Sequence, residues 1–226
     1  MQAEFWHKRW EAKEIGFHQS QINAHLQQFW HQLGLKTGTR VFVPLCGKSR
    51  DMLWLAGQGH SLVGVELSPL AVAEFFQENN LIPRLTQTGA FERWEADGIR
   101  LLCGDFFALD GSELTDVAGV YDRASLIALP PAMRKAYARH LTAILPPSAG
   151  VLLVTLEYPQ TEMQGPPFSV SEAEIRDLYE THYHVELMFV HDALAEYPRF
   201  QKRGLTRLTE KVYRLAVNTV ALPDTP

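Results

Sequence analysis

Short apolar runs alternate with amphipathic stretches along most of the chain, and this alternation sets the elements. From Thr39 the order is TRVFV, PLCGKSR, DMLWLAGQGH and SLVGVELS. It predicts a buried strand, a loop, a helix and a second strand, with Gly57-Gln58-Gly59-His60 as the tight turn between the last two. Ser68 before Pro69 is an N-cap with proline at the first helical position, and AVAEFFQENN carries that helix to a pair of asparagines. IRLLCGDFF and VAGVYDR are apolar runs that end at Asp105 and Asp122, as buried parallel strands do when loops follow them. FFALDGSELTD between them is polar with a turn. PPAMRKAYARHLTAILPPSAG is an amphipathic helix bounded by prolines, and VLLVTLEY is another buried strand. SEAEIRDLYETHY has the capping-box order Ser171 to Glu174, and VELMFVHDAL and LTRLTEKVYRLAV are two later strands.

Strands and helices alternating at this spacing predict an α/β fold, doubly wound around a mostly parallel sheet covered on both faces. The C-terminal segment adds an antiparallel hairpin. Residues 1 to about 38 are rich in Phe, Trp and His without strand alternation, and predict a helical cap. The expected organisation is one domain: cap 1–38, core 39–218 and a frayed tail 219–226.

Length and composition agree with one large core, at 226 residues with 46% hydrophobic and 11% aromatic content. A formal net charge of −5 offers no broad basic surface for phosphates or anionic lipid, so neither nucleic acid nor a membrane surface is an expected partner. The only cysteines, Cys46 and Cys103, lie in apolar stretches without metal-ligand spacing. They read as reduced thiols of a cytoplasmic protein with no metal site. The first residues, MQAEFWHKRWEAKE, lack the apolar run of a secretory signal. No stretch approaches the roughly 18 apolar residues of a membrane span. A monomer taking small molecules is the expectation.

In a doubly wound sheet the ligand sits at the carboxyl ends of the strands, and the turn after the first strand is the usual cradle. Here that turn is Pro44-Leu45-Cys46-Gly47-Lys48-Ser49. Gly47 permits close backbone approach, and the helix that follows presents free N–H groups. Two of the three glycines of GxGxxG are missing, which argues against a pyrophosphate. A P-loop would need glycine where Phe42 stands. Glu66, about twenty residues beyond Gly47 at the next strand end, is placed to accept both ribose hydroxyls of an adenosine; the alternative is a surface carboxylate. Asp105 can accept from an adenine amino group with Phe106 packed on the ring, or can be an N-cap. Together these strand ends make an adenosine pocket without a pyrophosphate site, which favours S-adenosylmethionine over NAD. An NAD-dependent oxidoreductase and a non-enzymatic adenosine-ligand sensor remain the other classes.

FWHKRW, GFHQ, RVFVPLCGKS, GHSLVGVELS, YDRASLIAL and GPPF resemble the thiopurine S-methyltransferase family over nearly the whole chain. The resemblance implies a seven-stranded methyltransferase fold, a cytoplasmic location and action on aromatic or heterocyclic thiols. In bacteria it also implies a link to selenium and tellurium compounds. It implies S-adenosylmethionine contacts at Trp10, Leu45, Glu66 and Arg123, and substrate contacts at Phe17 and Arg199. A tryptophan face attracts a sulfonium, though a core position is its alternative. Arg123 can fork onto the methionine carboxylate or an anionic acceptor, or form an ion pair with Asp122. Asp122 with Arg123 would shape the acceptor side electrostatically, and His18 could accept a proton or be structural. Methyl transfer asks mainly for alignment under a lid, so a dedicated base is optional.

Overall fold

The structure, a computed structural model, describes residues 3–218; the tail expected at 219–226 lies outside them. Two helices, α1 (Ala3–Glu11) and α2 (Ala24–Phe29), precede the first strand, and residues 12–23 between them form no regular element. Nine strands follow: β1 (Arg40–Val43), β2 (Ser61–Glu66), β3 (Arg84–Thr88), β4 (Phe91–Ala96), β5 (Ile99–Cys103), β6 (Val117–Arg123), β7 (Gly150–Glu157), β8 (Tyr183–Asp192) and β9 (Thr209–Val217). Helices α3 (Asp51–Gly57), α4 (Pro69–Glu78), α5 (Pro131–Ile144), α6 (Glu172–Tyr179) and α7 (Pro198–Gln201) connect them.

The strands form one sheet in the order β3-β4-β5-β2-β1-β6-β7-β9-β8. The five strands from β5 to β7 are parallel, and β9 runs antiparallel between β7 and β8. The expected C-terminal hairpin is therefore present. Chain order reverses between β1 and β6, which opens a crevice at their carboxyl ends.

Alternation within each strand divides the core in two. On β1, Phe42 joins one apolar cluster while Val41 and Val43 join the other. The first cluster packs against α5 and α6 through Tyr137, Leu141, Ile175 and Tyr179, and the second packs under the N-terminal cap and α3–α4 through Leu26, Phe29, Met52 and Phe75. Caps fall where the sequence placed them: the Ser68 hydroxyl accepts from Ala71 N–H at 3.3 Å, and Ser171 accepts from Glu174 N–H at 3.2 Å.

The sheet departs from seven strands by the hairpin β3–β4, which adds two antiparallel strands beyond β5. Its segment, RLTQTGAFERWEA, shows no regular apolar alternation, and β3 is exposed along most of its length. An edge strand needs no buried face, so the periodic signal is missing there. The cap is less helical than expected, because residues 12–23 run over the sheet end as irregular chain. No helix among the described residues is long and apolar enough to cross a membrane.

Candidate active site

A cavity of about 470 Å³ occupies the crevice at the carboxyl ends of β1, β2 and β6, roofed by the N-terminal segment. The loop after β1 builds its floor. Leu45 and Gly47 both have left-handed backbone, with φ of 47° and 53°. So does Ala124 just after β6, with φ of 68°. For a residue with a Cβ this conformation stores strain, a feature that clusters at functional sites. The two strained turns are joined: Ser125 hydroxyl donates to the Pro44 carbonyl at 3.1 Å.

Glu66 is buried at the end of β2 and fastens this floor. Its Oε2 accepts from Gly47 N–H and its Oε1 from Ser68 N–H, each at 2.8 Å. Burial raises the pKa of this carboxyl, while those N–H groups favour the ionised form. Each oxygen keeps a further lone pair for a ligand hydroxyl. Gly47 is also where the cap touches the floor: a Cβ built there would lie 3.2 Å from the indole of Trp10. Gly47→Ala is expected to lower stability by about 1–2 kcal/mol through left-handed strain, and to displace Trp10; thermal denaturation and intrinsic fluorescence check both effects.

Trp10 is buried, with Phe17 edge-on to it at 5.5 Å, and Trp6 is also edge-on to Phe17 at 5.8 Å. Trp6, Trp10, Phe17 and His18 all line the cavity. Burial lowers the pKa of His18, with Lys48 the next contributor, which keeps the imidazole neutral near pH 7. Lys48 bonds Glu74 and Glu78 of α4 at 2.7 Å each, so its ammonium is already neutralised. No phosphate cradle remains in this loop.

Arg123 lines the cavity, but its partner is not Asp122. Its Nε donates to Asp51 Oδ2 at 3.2 Å, because Arg123 and Tyr121 project to one face of β6 and Asp122 to the other. Asp122 is fully buried and accepts from the Tyr137 hydroxyl at 2.8 Å. It does not line the cavity, whereas the sequence reading sets it beside Arg123 on the acceptor side. Burial pushes it up to about 6.

Two other expected contacts stand apart. Asp105 is exposed beyond β5, one strand over from Glu66, and caps a short 3-10 turn by accepting from Phe107 N–H at 3.0 Å. Phe106 turns into the core against Tyr137 and His140, with ring centroids 4.9 and 5.0 Å away. Neither lines the cavity. Cys46 and Cys103 are free and buried. Burial raises the Cys46 thiol well above its ordinary range and Cys103 to about 11, so neither supplies a thiolate.

At the far end of the cavity, α7 brings in Arg199. Its guanidinium packs over Gly16, where a Cβ would lie 2.0 Å from Nη1, and sits 4.7 Å above the Phe200 ring. Among the described residues it makes no ion pair. Gly16→Ala is therefore expected to push Arg199 aside with little effect on folding. Acceptor KM should rise up to about tenfold, as one charged contact allows, while cofactor affinity stays within about twofold; steady-state kinetics and calorimetry separate the two.

Pattern reading did not find Asp51, Tyr197 or Glu210. Tyr197 hydroxyl donates to Glu210 Oε1 at 2.6 Å, and His25 Nε2 lies 2.7 Å from Glu210 Oε2. Burial alone would raise the Glu210 carboxyl, yet His25 and Tyr197 hold it below the usual range. Tyr197 and Glu210 both line the cavity. These contacts join residues far apart in the chain, and no local signal marks them. No cluster of three or more metal-ligating side chains occurs among the described residues.

A family model described as thiopurine S-methyltransferase matches residues 1–218. Thiopurine S-methyltransferase of Nitrosospira multiformis is 54% identical over 219 residues, spanning 97% of this chain and 100% of that protein. That of Pseudomonas fluorescens Pf0-1 is 51% identical over 215 residues, or 95% of this chain and 99% of the relative. Among solved structures, Burkholderia thailandensis 1,6-didemethyltoxoflavin-N1-methyltransferase, bound to S-adenosylhomocysteine, superposes with a TM-score of 0.62 at 16% identity, covering 95% of this chain and 87% of that one. Haemonchus contortus phosphoethanolamine N-methyltransferase 2, in complex with S-adenosyl-L-methionine, gives 0.63 at 11% identity over 84% of this chain and 51% of that one. At those identities the likeness to the solved structures is one of fold. The family match and the curated relatives span nearly the whole chain, and the chain belongs to the thiopurine S-methyltransferase family.

Proposed function

We propose that this protein is an S-adenosylmethionine-dependent methyltransferase whose acceptor atom is the sulfur of a thiopurine or another aromatic or heterocyclic thiol. Selenium and tellurium compounds are further candidate acceptors of the same soft character. The observation that carries the reading is one continuous cavity with two chemically different ends. One end has the buried Glu66 carboxylate and the left-handed turn at Gly47, with the nearby lysine neutralised. The other end is aromatic and arginine-edged.

The residues present fit an adenosine with an amino-acid tail. Glu66 would accept the ribose hydroxyls, and Leu45 would wall the nucleoside. The adenine would extend from Glu66 towards the turn at Asp105 and Phe106, past the edge of the cavity. Arg123 would take the methionine carboxylate: Nε is held by Asp51, and among the described residues no protein acceptor takes its two terminal nitrogens. When bound, the cofactor supplies a methyl group on a cationic sulfur that the acceptor displaces in line.

The chain's part is alignment and exclusion of water. Trp10 presents an aromatic ring beside the Gly47 turn, where it can stabilise a nearby cation. Trp6 and Phe17 sandwich a flat acceptor against Ile127 and Leu156, while Arg199 draws its polar edge. His18, kept neutral, can take the proton of an un-ionised thiol; an acceptor that is already a thiolate needs no base.

The test is calorimetry with S-adenosylhomocysteine followed by an acceptor panel of thiopurines, thiophenols and selenium anions with labelled S-adenosylmethionine. Micromolar binding and turnover with an aromatic thiol are expected. Binding without turnover on any acceptor would instead support a sensor, and absence of binding would sink the reading.

A further inference from the structure

Asp51 places a carboxyl group in a position 1% exposed, at the first residue of α3. Three donors from distant parts of the chain converge on it. Asn23 main-chain N–H reaches Oδ1 at 2.8 Å, Tyr121 hydroxyl reaches Oδ2 at 3.1 Å, and Arg123 Nε reaches the same oxygen at 3.2 Å. The positive end of α3 adds to the compensation. The Asn23 side chain meanwhile caps α2 by accepting from His25 and Leu26 N–H at 3.0 and 3.2 Å. One carboxylate thus joins the arginine at the cavity to the main chain where the irregular roof segment, residues 12–23, ends.

We propose that Asp51 is a positioning residue with two linked effects: it holds Arg123 by Nε so that the terminal nitrogens are left for a ligand carboxylate, and it ties the 12–23 segment to that same site, so that cofactor binding and ordering of the roof are coupled. The inference rests on the cofactor reading above and goes beyond it, since no contact between Asp51 and a ligand is required. The physical basis is that a guanidinium held at one edge loses less freedom when its other edge binds. Coupling follows because one carboxylate serves both, the roof through Oδ1 and the arginine through Oδ2. Replacing that carboxyl group loosens both together.

Asp51→Asn tests this in the full chain. S-adenosylhomocysteine affinity is measured by calorimetry, and hydrogen exchange of residues 12–23 is followed with and without saturating ligand. In the wild type the ligand should slow exchange across 12–23. In D51N the dissociation constant should rise about tenfold or more, and saturating ligand should no longer protect that segment. In an Arg123→Lys background the D51N substitution should change affinity clearly less than it does in the wild type, because the part of its effect that acts through the guanidinium is already gone; an equal change in both backgrounds overturns the arginine arm of the proposal. A merely structural role would lower the melting temperature yet leave the dissociation constant within twofold and the protection intact, and that result overturns the proposal.

Should D51N fail to fold, Asn23 supplies the second comparison. Asn23→Ala removes the α2 cap but keeps the N–H; Asn23→Pro removes both, and the native φ of −61° suits proline. Loss of ligand-induced protection in N23P but not in N23A supports the tie, and identical behaviour of the two overturns it. No binding of S-adenosylhomocysteine by the wild type overturns the cofactor reading and this inference with it. Normal wild-type binding with an unaffected D51N overturns the inference alone.

Discussion

Glu66→Ala should weaken S-adenosylhomocysteine binding by roughly 100-fold or more while raising acceptor KM far less. Hydrogen bonds to a charged group contribute about 1.5–3 kcal/mol each, and two ribose hydroxyls would be lost together. The structure adds a second loss that the ribose assignment alone does not contain. Glu66 also holds Gly47 and Ser68 N–H, so the alanine leaves the floor of the cavity unfastened and two buried donors unpaired. Glu66→Gln should not restore the wild-type state, because an amide can offer an acceptor to only one of those two N–H groups and turns a donor toward the other. Calorimetry on both variants, with acceptor kinetics at saturating cofactor, checks this. A larger effect on acceptor KM than on cofactor affinity would remove the ribose assignment.

Asp122→Asn should alter the pH dependence of stability rather than the reaction. Burial raises the Asp122 carboxyl to about 6 in the folded protein, against an ordinary aspartate value of about 3.9. Between those two values the folded state keeps a proton that the unfolded chain has released. Wild-type stability therefore falls as pH rises from about 4 to about 6, by an amount on the order of 3 kcal/mol relative to a group that does not titrate. Asparagine fills the same space and can still accept from the Tyr137 hydroxyl. Urea denaturation of both proteins from pH 4 to pH 7 should show the variant gaining on the wild type across that window and holding its advantage above it. A constant difference would show that Asp122 titrates normally. Because Asp122 faces α5 and does not line the cavity, kcat/KM should change little.

The two carboxylates illustrate how far the sequence could be read. Both end an apolar run, and the run is what marks them. Glu66 points to the ligand end of the sheet and Asp122 into the core, a difference that the run itself does not carry. Arg123 was legible as a charged residue at a buried strand end in need of a partner. Its neighbour Asp122 is the partner that sequence suggests, yet adjacent strand residues face opposite sides of a sheet, and Asp51, a residue 72 positions away, takes the contact. Asp105 and Phe106 share this history: their place after a strand was correct, while the 3-10 turn that follows points one to solvent and the other into the core. The β3–β4 hairpin left no periodic trace because its strands sit at the sheet edge.

What the sequence by itself determined was the alternation of strands and helices, the doubly wound class, the capped helix starts, the unusual loop after β1 and the family. These rest on local periodicity and short motifs, which neighbouring residues define on their own. Only the tertiary structure decided which strand-end side chains meet in one cavity, that Lys48 is neutralised by α4, that Arg199 packs over Gly16, and that Asp51 joins Arg123 to the roof. Those contacts depend on which face each residue takes and on closing long loops between distant segments, and neither is encoded in the pattern of a single stretch.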